Sequence, residues 1–147
     1  MADFHLSEQI DSTPSEAFEF VSDLDNIPKW NSIVTGVETG TERPVRVGTQ
    51  FSETRLIRGL EGKVDNEVRS YEPPTTFATG FTGRGFDVTY TYTFTGEGSG
   101  TRADLDVSVK GAGVKALLAF MVARSMKRQD TDSLERLKSA IEQFKER

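Results

Sequence analysis

The sequence lacks cysteine and has a single histidine, His5, among its 147 residues. The absence of cysteine excludes disulfides, thiol catalysis, iron–sulfur clusters and cysteine-ligated zinc. One histidine cannot build a histidine-rich metal site, and the carboxylates show no metal-binding motif. We therefore expect no metal and no cofactor. We expect His5, on the polar side of the first predicted strand, to lie at the surface.

Long apolar stretches are also missing. The longest uninterrupted apolar run, Ala116–Ala123, is too short to span a bilayer. The N-terminal stretch MADFHLSEQ lacks the basic and apolar blocks of a secretory signal. With 18 Lys and Arg against 23 Asp and Glu, the formal net charge of −5 disfavours a general nucleic-acid-binding role. We expect a cytoplasmic protein that binds no nucleic acid and does not insert stably into membranes.

The composition is typical of a globular protein, with 35% hydrophobic residues. The 13 glycines divide much of the chain into short segments. A first strand, Phe4–Asp11, precedes Thr13, Pro14 and Glu16, whose spacing predicts the start of a short helix and a small helical insert. A period of two then predicts six strands joined by short turns, which form an antiparallel meander. These strands are predicted at Ile33–Thr41, Thr49–Arg58, Lys63–Glu72, Thr75–Thr82, Phe86–Thr95 and Thr101–Lys110.

The C-terminal part contains neither glycine nor proline after Gly113, which predicts one long helix over Val114–Lys145. Its first half, Val114–Met126, is apolar around most of its circumference, so we expect it to be covered on several sides or to face an apolar space. The whole chain, residues 1–147, is predicted as a single α+β domain. This domain has a seven-stranded antiparallel sheet, a short helical insert after the first strand and a long C-terminal helix.

Five local motifs accompany this order of elements. They are the helix start Ser12–Phe18, the segment Val21–Asn31, the triplet Val47–Thr49, the corner Tyr71–Pro74 and the closing helix Ser133–Glu142. Over the full length they resemble the polyketide cyclase/dehydrase-like branch of the SRPBCC superfamily, to which START domains and birch-pollen-allergen-like proteins belong. The resemblance implies a helix-grip fold, in which a sheet wraps around the last helix and encloses a cavity for a small lipid-, polyketide- or aromatic-like ligand. None of the motifs is catalytic, and one fold hosts many functions.

Aromatic side chains on the predicted strands are candidates for lining such a cavity. They either contact a ligand or fill an ordinary core, and the hydroxyls of Tyr90 and Tyr92 favour the cavity because a buried hydroxyl needs a partner. Trp30, in the helical insert, either covers the cavity or packs the insert onto the sheet. The candidate ligand contacts are Trp30, Phe51, Asn66, Phe77, Phe81, Tyr90, Tyr92 and Met121.

Glu53 and Arg55 are the most informative polar pair. They share one face of a predicted strand with Phe51 and Ile57, so an inward orientation of that face brings an acid and a cation into the cavity. There they could act with Tyr90 as catalytic groups in an aldol-type cyclisation. If the opposite face, with Leu56, points inward, both are solvated, and the burial statistics of Glu and Arg favour that orientation.

Three functions are compatible with these residues. The leading interpretation is the binding of a small hydrophobic ligand between the sheet and the C-terminal helix. The alternative is a polyketide cyclase-, aromatase- or dehydratase-like enzyme that uses Glu53, Arg55 and a cavity tyrosine. A further alternative is a non-enzymatic interaction or ligand-delivery module. An enzyme needs at least two titratable groups that converge in the pocket, whereas an interaction module needs an exposed apolar patch.

Overall fold

The computed structural model describes residues 2–39, 45–57, 59–83, 85–111, 113–130 and 132–145. It confirms the predicted α+β class, with one seven-stranded antiparallel sheet, a helical insert after the first strand and helices at the C-terminus. The elements are β1 (Ala2–Ile10), α1 (Pro14–Ser22), a 3-10 turn (Leu24–Asn26), α2 (Ile27–Trp30), β2 (Val34–Thr39), β3 (Gln50–Ile57), β4 (Leu60–Glu72), β5 (Thr76–Gly83), β6 (Phe86–Glu97), β7 (Gly100–Gly111), α3 (Lys115–Asp130) and α4 (Ser133–Lys145).

The strands form a meander that β1 completes. Their order in the sheet is β1-β7-β6-β5-β4-β3-β2, and every neighbouring pair is antiparallel. Gly59, Gly85 and Gly98 have positive φ in the tight turns that follow β3, β5 and β6, a conformation that glycine adopts without steric cost. Each strand lies within three residues of its predicted bounds, and the predicted strand residues 40, 41 and 58 lie outside the described residues.

Helix α1 holds the insert against the face of the sheet on which the helices pack, which we call the inner face. Its start is the predicted reciprocal cap: the Glu16 N–H donates to Thr13 Oγ1 over 3.1 Å, and the Thr13 N–H donates to Glu16 Oε1 over 2.8 Å. Phe18 is buried and packs edge-to-face against Tyr71 and Phe77. Helix α2, which follows the 3-10 turn, packs on β2 and α4.

The C-terminal region consists of two helices, so the prediction of one helix over Val114–Lys145 was wrong. Helix α3 ends at Asp130 and α4 begins at Ser133, where the Arg136 N–H donates to the Asp132 carbonyl over 2.9 Å. Asp and Ser favour the start of a helix over its interior because their side chains compete for backbone hydrogen bonds. The two helices then take different partners: α3 packs on β7 and β1, whereas α4 packs on β1, α1 and α2.

The first half of α3 is more exposed than the sequence predicted. Within the described side chains of α3 only Ala119 and Ala123 are buried, whereas Phe120 and Met121 are each 66% exposed. The small alanines face the sheet and allow the helix to approach it closely, so the bulky side chains point outwards.

In the part of the chain that the structure describes, no helix combines the length and the apolar character needed to cross a bilayer.

The opposite, outer face of the sheet carries a polar cluster around Arg69. Its guanidinium donates to Asp87 Oδ1 over 2.8 Å, to Thr89 Oγ1 over 2.7 Å and to Glu67 Oε1 over 3.1 Å. It lies flat over Gly80, where a Cβ atom would come within 2.6 Å of the guanidinium. Arg69 and these three partners, which we call the outer cluster, connect β4 to β6 across β5.

Candidate ligand-binding site

A small, partly open space lies between the helical insert and the inner face of the sheet. Its volume is about 30 Å³, which is room for about two water molecules. The insert contributes one wall and strands β3 to β6 contribute the other, so this space does not lie between the sheet and the C-terminal helices, where the cavity was predicted. The residues that line it are Val21, Ile27, Trp30, Asn31, Glu53, Arg55, Asn66, Phe77, Thr79, Tyr90 and Tyr92.

Trp30 and Tyr92 form the aromatic part of this space. Trp30 is 5% exposed, and its ring packs edge-to-face against Tyr92 with centroids 5.7 Å apart and an interplanar angle of 84°. Trp30 Nε1 has no hydrogen-bond partner, and it is the one buried side-chain nitrogen or oxygen of the described residues in this condition. A buried donor without a partner costs about 1–3 kcal/mol, so this indole N–H would gain stability from an acceptor that reached it.

Glu53, Arg55 and Asn66 form a polar group on the inner face, which we call the inner cluster. Arg55 donates to Glu53 Oε1 from Nη2 over 2.6 Å and from Nε over 3.0 Å. Asn66 Nδ2 donates to the same oxygen over 3.2 Å. The Glu53 and Arg55 side chains are only 8% and 14% exposed. The acid and the cation therefore lie inside the protein as a hydrogen-bonded ion pair.

The solvated orientation that burial statistics favoured for Glu53 and Arg55 was therefore wrong. Phe51, on the same face of β3, is buried, whereas Leu56 on the opposite face is 44% exposed. The charged side chains can face inwards because each supplies the other's partner and Asn66, on β4, supplies a further donor.

Phe81 holds the guanidinium from the other side. The Arg55 Cζ atom lies 5.1 Å from the centroid of the Phe81 ring, within the range of a cation–π contact. Arg55 thus has a carboxylate and an aromatic ring as neighbours. These contacts restrict the rotation of a long side chain that would otherwise adopt many conformations.

The other candidates on the strands fall into two groups. Phe77, Tyr90 and Tyr92 line the small space, as does Asn66. Phe51 and Phe81 instead border a wider, open groove of about 680 Å³ that crosses β2 to β5.

Met121 lies outside the site, on the exposed part of α3, so its prediction as a ligand contact is not supported by its position. The prediction assumed a single long helix along the sheet. Helix α3 instead buries Ala119 and Ala123 and leaves Met121 66% exposed.

Several lining residues were not predicted from the sequence. Val21 and Ile27 come from the insert, Asn31 follows Trp30 directly, and Thr79 pairs with Tyr90 across β5 and β6. The pairing register alone brings Thr79 beside the tyrosine, and no local motif marks it. Among the described residues no group of three or more His, Asp or Glu side chains is arranged to hold a metal ion.

The profile of one protein family, described as "Polyketide cyclase / dehydrase and lipid transport", matches residues 1–142. The chain belongs to this family. The predicted resemblance is thereby confirmed at the level of the family. No curated protein sequence is significantly similar to the chain.

Solved structures of this superfamily share the fold at low sequence identity. A START superfamily protein from Mycobacterium smegmatis is 16% identical with a TM-score of 0.71, and the match covers 98% of this chain and 99% of that one. The protein Ara h 8.0201 is 17% identical with a TM-score of 0.76, over 95% and 96% of the two chains.

The di-domain ARO/CYC protein StfQ from the steffimycin biosynthetic pathway is 12% identical with a TM-score of 0.79, over 99% of this chain and 52% of that one. The chain therefore corresponds to about half of that protein. Together these similarities confirm the helix-grip fold.

Proposed function

We propose that the protein binds a small hydrophobic ligand between the helical insert and the inner face of the sheet. The observation that carries this proposal is the unpartnered, buried Nε1 of Trp30, a residue that lines the same space as the inner cluster. Apolar walls supply affinity, and a few polar groups at one end fix the orientation of the ligand. The membership of the family described as polyketide cyclase, dehydrase and lipid transport supports the same conclusion.

We infer that the space of about 30 Å³ must enlarge to take a ligand, because ligand pockets are usually about 300–1,000 Å³. The part that opens is the insert. Helix α2 has only four residues, and a helix of that length has little stability of its own. An outward shift of α2 would move Trp30 and enlarge the space without disturbing the hydrogen bonds of the sheet.

The test is a calorimetric titration with 2-acetylnaphthalene, a neutral aromatic ketone. We expect saturable binding by the wild-type protein. Trp30→Phe keeps an aromatic ring but removes the N–H, so we expect about tenfold weaker binding of the ketone. Phe120→Leu, on the exposed side of α3, is the control and leaves the affinity unchanged.

Two results would contradict the proposal. One is the absence of any binding of the ketone by the wild-type protein. The other is an affinity of the Trp30→Phe variant equal to that of the wild type, provided that the variant retains its folded circular dichroism spectrum.

A second candidate function is an aldol-type cyclisation, which the inward orientation of Glu53 and Arg55 favours because two charged groups converge in the space. In this reaction Glu53 accepts a proton from the carbon next to one ketone, and that carbon attacks a second carbonyl of the same molecule. Arg55 and the Trp30 N–H stabilise the alkoxide that forms, which then takes up the proton from Glu53. Loss of water from this alcohol gives a cyclic enone.

Heptane-2,6-dione tests the enzymatic candidate, because its internal aldol condensation gives 3-methylcyclohex-2-enone and one water molecule. We expect the wild-type protein to accelerate the appearance of the enone absorbance and Glu53→Gln to abolish the acceleration. A rate equal to that without protein would exclude this reaction for the dione and leave the binding function standing.

A further inference from the structure

We propose that Glu53 sets the charge selectivity of the site: by neutralising Arg55, it makes the site select uncharged ligands and reject carboxylates. This inference rests on the proposed binding function and names the class of ligand, an uncharged molecule with a hydrogen-bond acceptor. The determinant is the inner cluster, in which the cation of the site already has its anion.

The geometry of the pair supports complete neutralisation. Arg55 Nη2 and Nε both donate to Glu53 Oε1, over 2.6 and 3.0 Å, and Asn66 Nδ2 adds a third hydrogen bond to that oxygen over 3.2 Å. Charge-assisted hydrogen bonds of this length are among the strongest in proteins. Since both charged side chains are mostly buried, water screens their interaction only weakly.

The rest of the described lining carries no second positive charge that could balance an anionic ligand. Arg55 is the one cation among the described lining residues, and the other titratable groups of the lining are Glu53 and the phenols of Tyr90 and Tyr92. The lining residues from α1, α2, β4 and β5 are uncharged: Val21, Ile27, Trp30, Asn66, Phe77 and Thr79. A carboxylate in this space would lose its hydration and meet the negative charge of Glu53.

An uncharged acceptor avoids both the loss of hydration of a charged group and the repulsion by Glu53. A ketone oxygen can accept the hydrogen bond of Trp30 Nε1, the buried donor without a partner, and brings no charge that needs a counter-ion. Removal of the charge of Glu53 would leave a buried guanidinium, whose planar donors match a carboxylate. Glu53→Gln is therefore expected to reverse the selectivity rather than only weaken binding.

The experiment compares 2-acetylnaphthalene with 2-naphthoate by calorimetry at pH 7. The two probes share one ring system, and they differ only in the substituent, which is a methyl ketone in one and a carboxylate in the other. We expect the wild-type protein to bind the ketone at least about tenfold more tightly, and Glu53→Gln to bind the carboxylate more tightly by a similar factor. Glu67→Gln, the same change in the outer cluster, is the control and preserves the wild-type preference.

A second measurement needs no variant. If only uncharged naphthoic acid enters the wild-type site, its apparent affinity falls about tenfold for each pH unit above the pKa of the probe, roughly 4. The affinity of the ketone over the same pH range corrects for any change in the protein itself. The slope for the acid therefore reports the charge selectivity even if Glu53→Gln does not fold.

The outcomes separate the two proposals. Equal affinity of the wild-type protein for both probes, or a flat pH profile for naphthoate, would overturn the charge selectivity and leave the binding function intact. A folded Glu53→Gln variant that still prefers the ketone would also overturn it. Failure of the wild-type protein to bind either probe would overturn the binding function, and the selectivity with it.

Discussion

The two faces of the sheet carry the same kind of ion pair in different surroundings. In the inner cluster Arg55 and Glu53 are 2.6 Å apart, with side chains 14% and 8% exposed. In the outer cluster Arg69 and Asp87 are 2.8 Å apart, with side chains 21% and 40% exposed. The distances are nearly equal, so the difference between the clusters lies in burial and in how the donors are used.

The outer cluster distributes one guanidinium over several acceptors, and the inner cluster concentrates several donors on one oxygen. Arg69 donates hydrogen bonds to Glu67, Asp87 and Thr89 and so connects β4 to β6 across β5. The inner cluster instead lines, together with Trp30 and its unpartnered N–H, a space bounded by aromatic rings. An arginine–carboxylate ion pair therefore connects strands on the outer face, and a similar pair forms the polar part of the candidate site on the inner face.

The largest expected contrast is in stability. Arg55→Gln leaves the Glu53 carboxylate buried without its cation, so we expect a loss of about 3 kcal/mol or more in the free energy of unfolding. Arg69→Gln removes a partly solvated pair, and we expect a loss of only about 1 kcal/mol. Urea unfolding of the two variants measures both values, and equal losses would contradict the distinction between the clusters.

A methyl group under the outer cluster should have an intermediate effect. Gly80→Ala places a Cβ atom within 2.6 Å of the Arg69 guanidinium, so the end of that side chain must move and some of its hydrogen bonds are lost. We expect a cost of about 1 kcal/mol, measured by thermal unfolding. Gly36→Ala in β2 is the matched control, because no atom lies within 4 Å of the Cβ position there. A variant of Gly80 no less stable than the control would show that Arg69 contributes little.

The smallest expected effect is the pH dependence of the outer cluster. Hydrogen bonds from the Arg69 guanidinium and the Thr82 hydroxyl hold the pKa of Asp87 below its ordinary value. A carboxyl with a lowered folded pKa adds stability above its unfolded pKa of about 4, and this contribution is lost as the pH falls through the folded pKa. Asp87→Asn should therefore reduce the stability difference between pH 6 and pH 3, as measured by urea unfolding. An unchanged difference would contradict the assignment.

Much of the fold follows from local sequence patterns. Alternating residues and glycine-containing turns define strands that pair with their neighbours in the chain, so each strand could be predicted within three residues. The break between α3 and α4 was missed because the absence of glycine and proline outweighed the capping tendency of Asp132 and Ser133. Both helices pack on β1, but α3 also packs on β7 whereas α4 packs on α1 and α2, and these long-range contacts leave no local pattern in the sequence.

The candidate site was harder to predict than the fold. The composition of the β3 face could be read from the sequence, but its direction depends on long-range pairing that brings Asn66 to Glu53. Average burial statistics for Glu and Arg do not separate paired from unpaired side chains, so they fail where two such groups neutralise each other. The unpartnered donor of Trp30 is likewise a property of the packed insert and leaves no pattern in the sequence.

The most direct test of the central claim uses the single tryptophan of the chain. In a ¹⁵N–¹H correlation spectrum its indole N–H gives one resonance, which can be followed during addition of 2-acetylnaphthalene and, separately, of 2-ethylnaphthalene. The hydrocarbon has no acceptor and controls for ring effects. We predict a saturable downfield shift of the indole proton that the ketone produces and the hydrocarbon does not. An indole resonance that stays in place while other signals move with the ketone would place the ligand elsewhere and contradict the account.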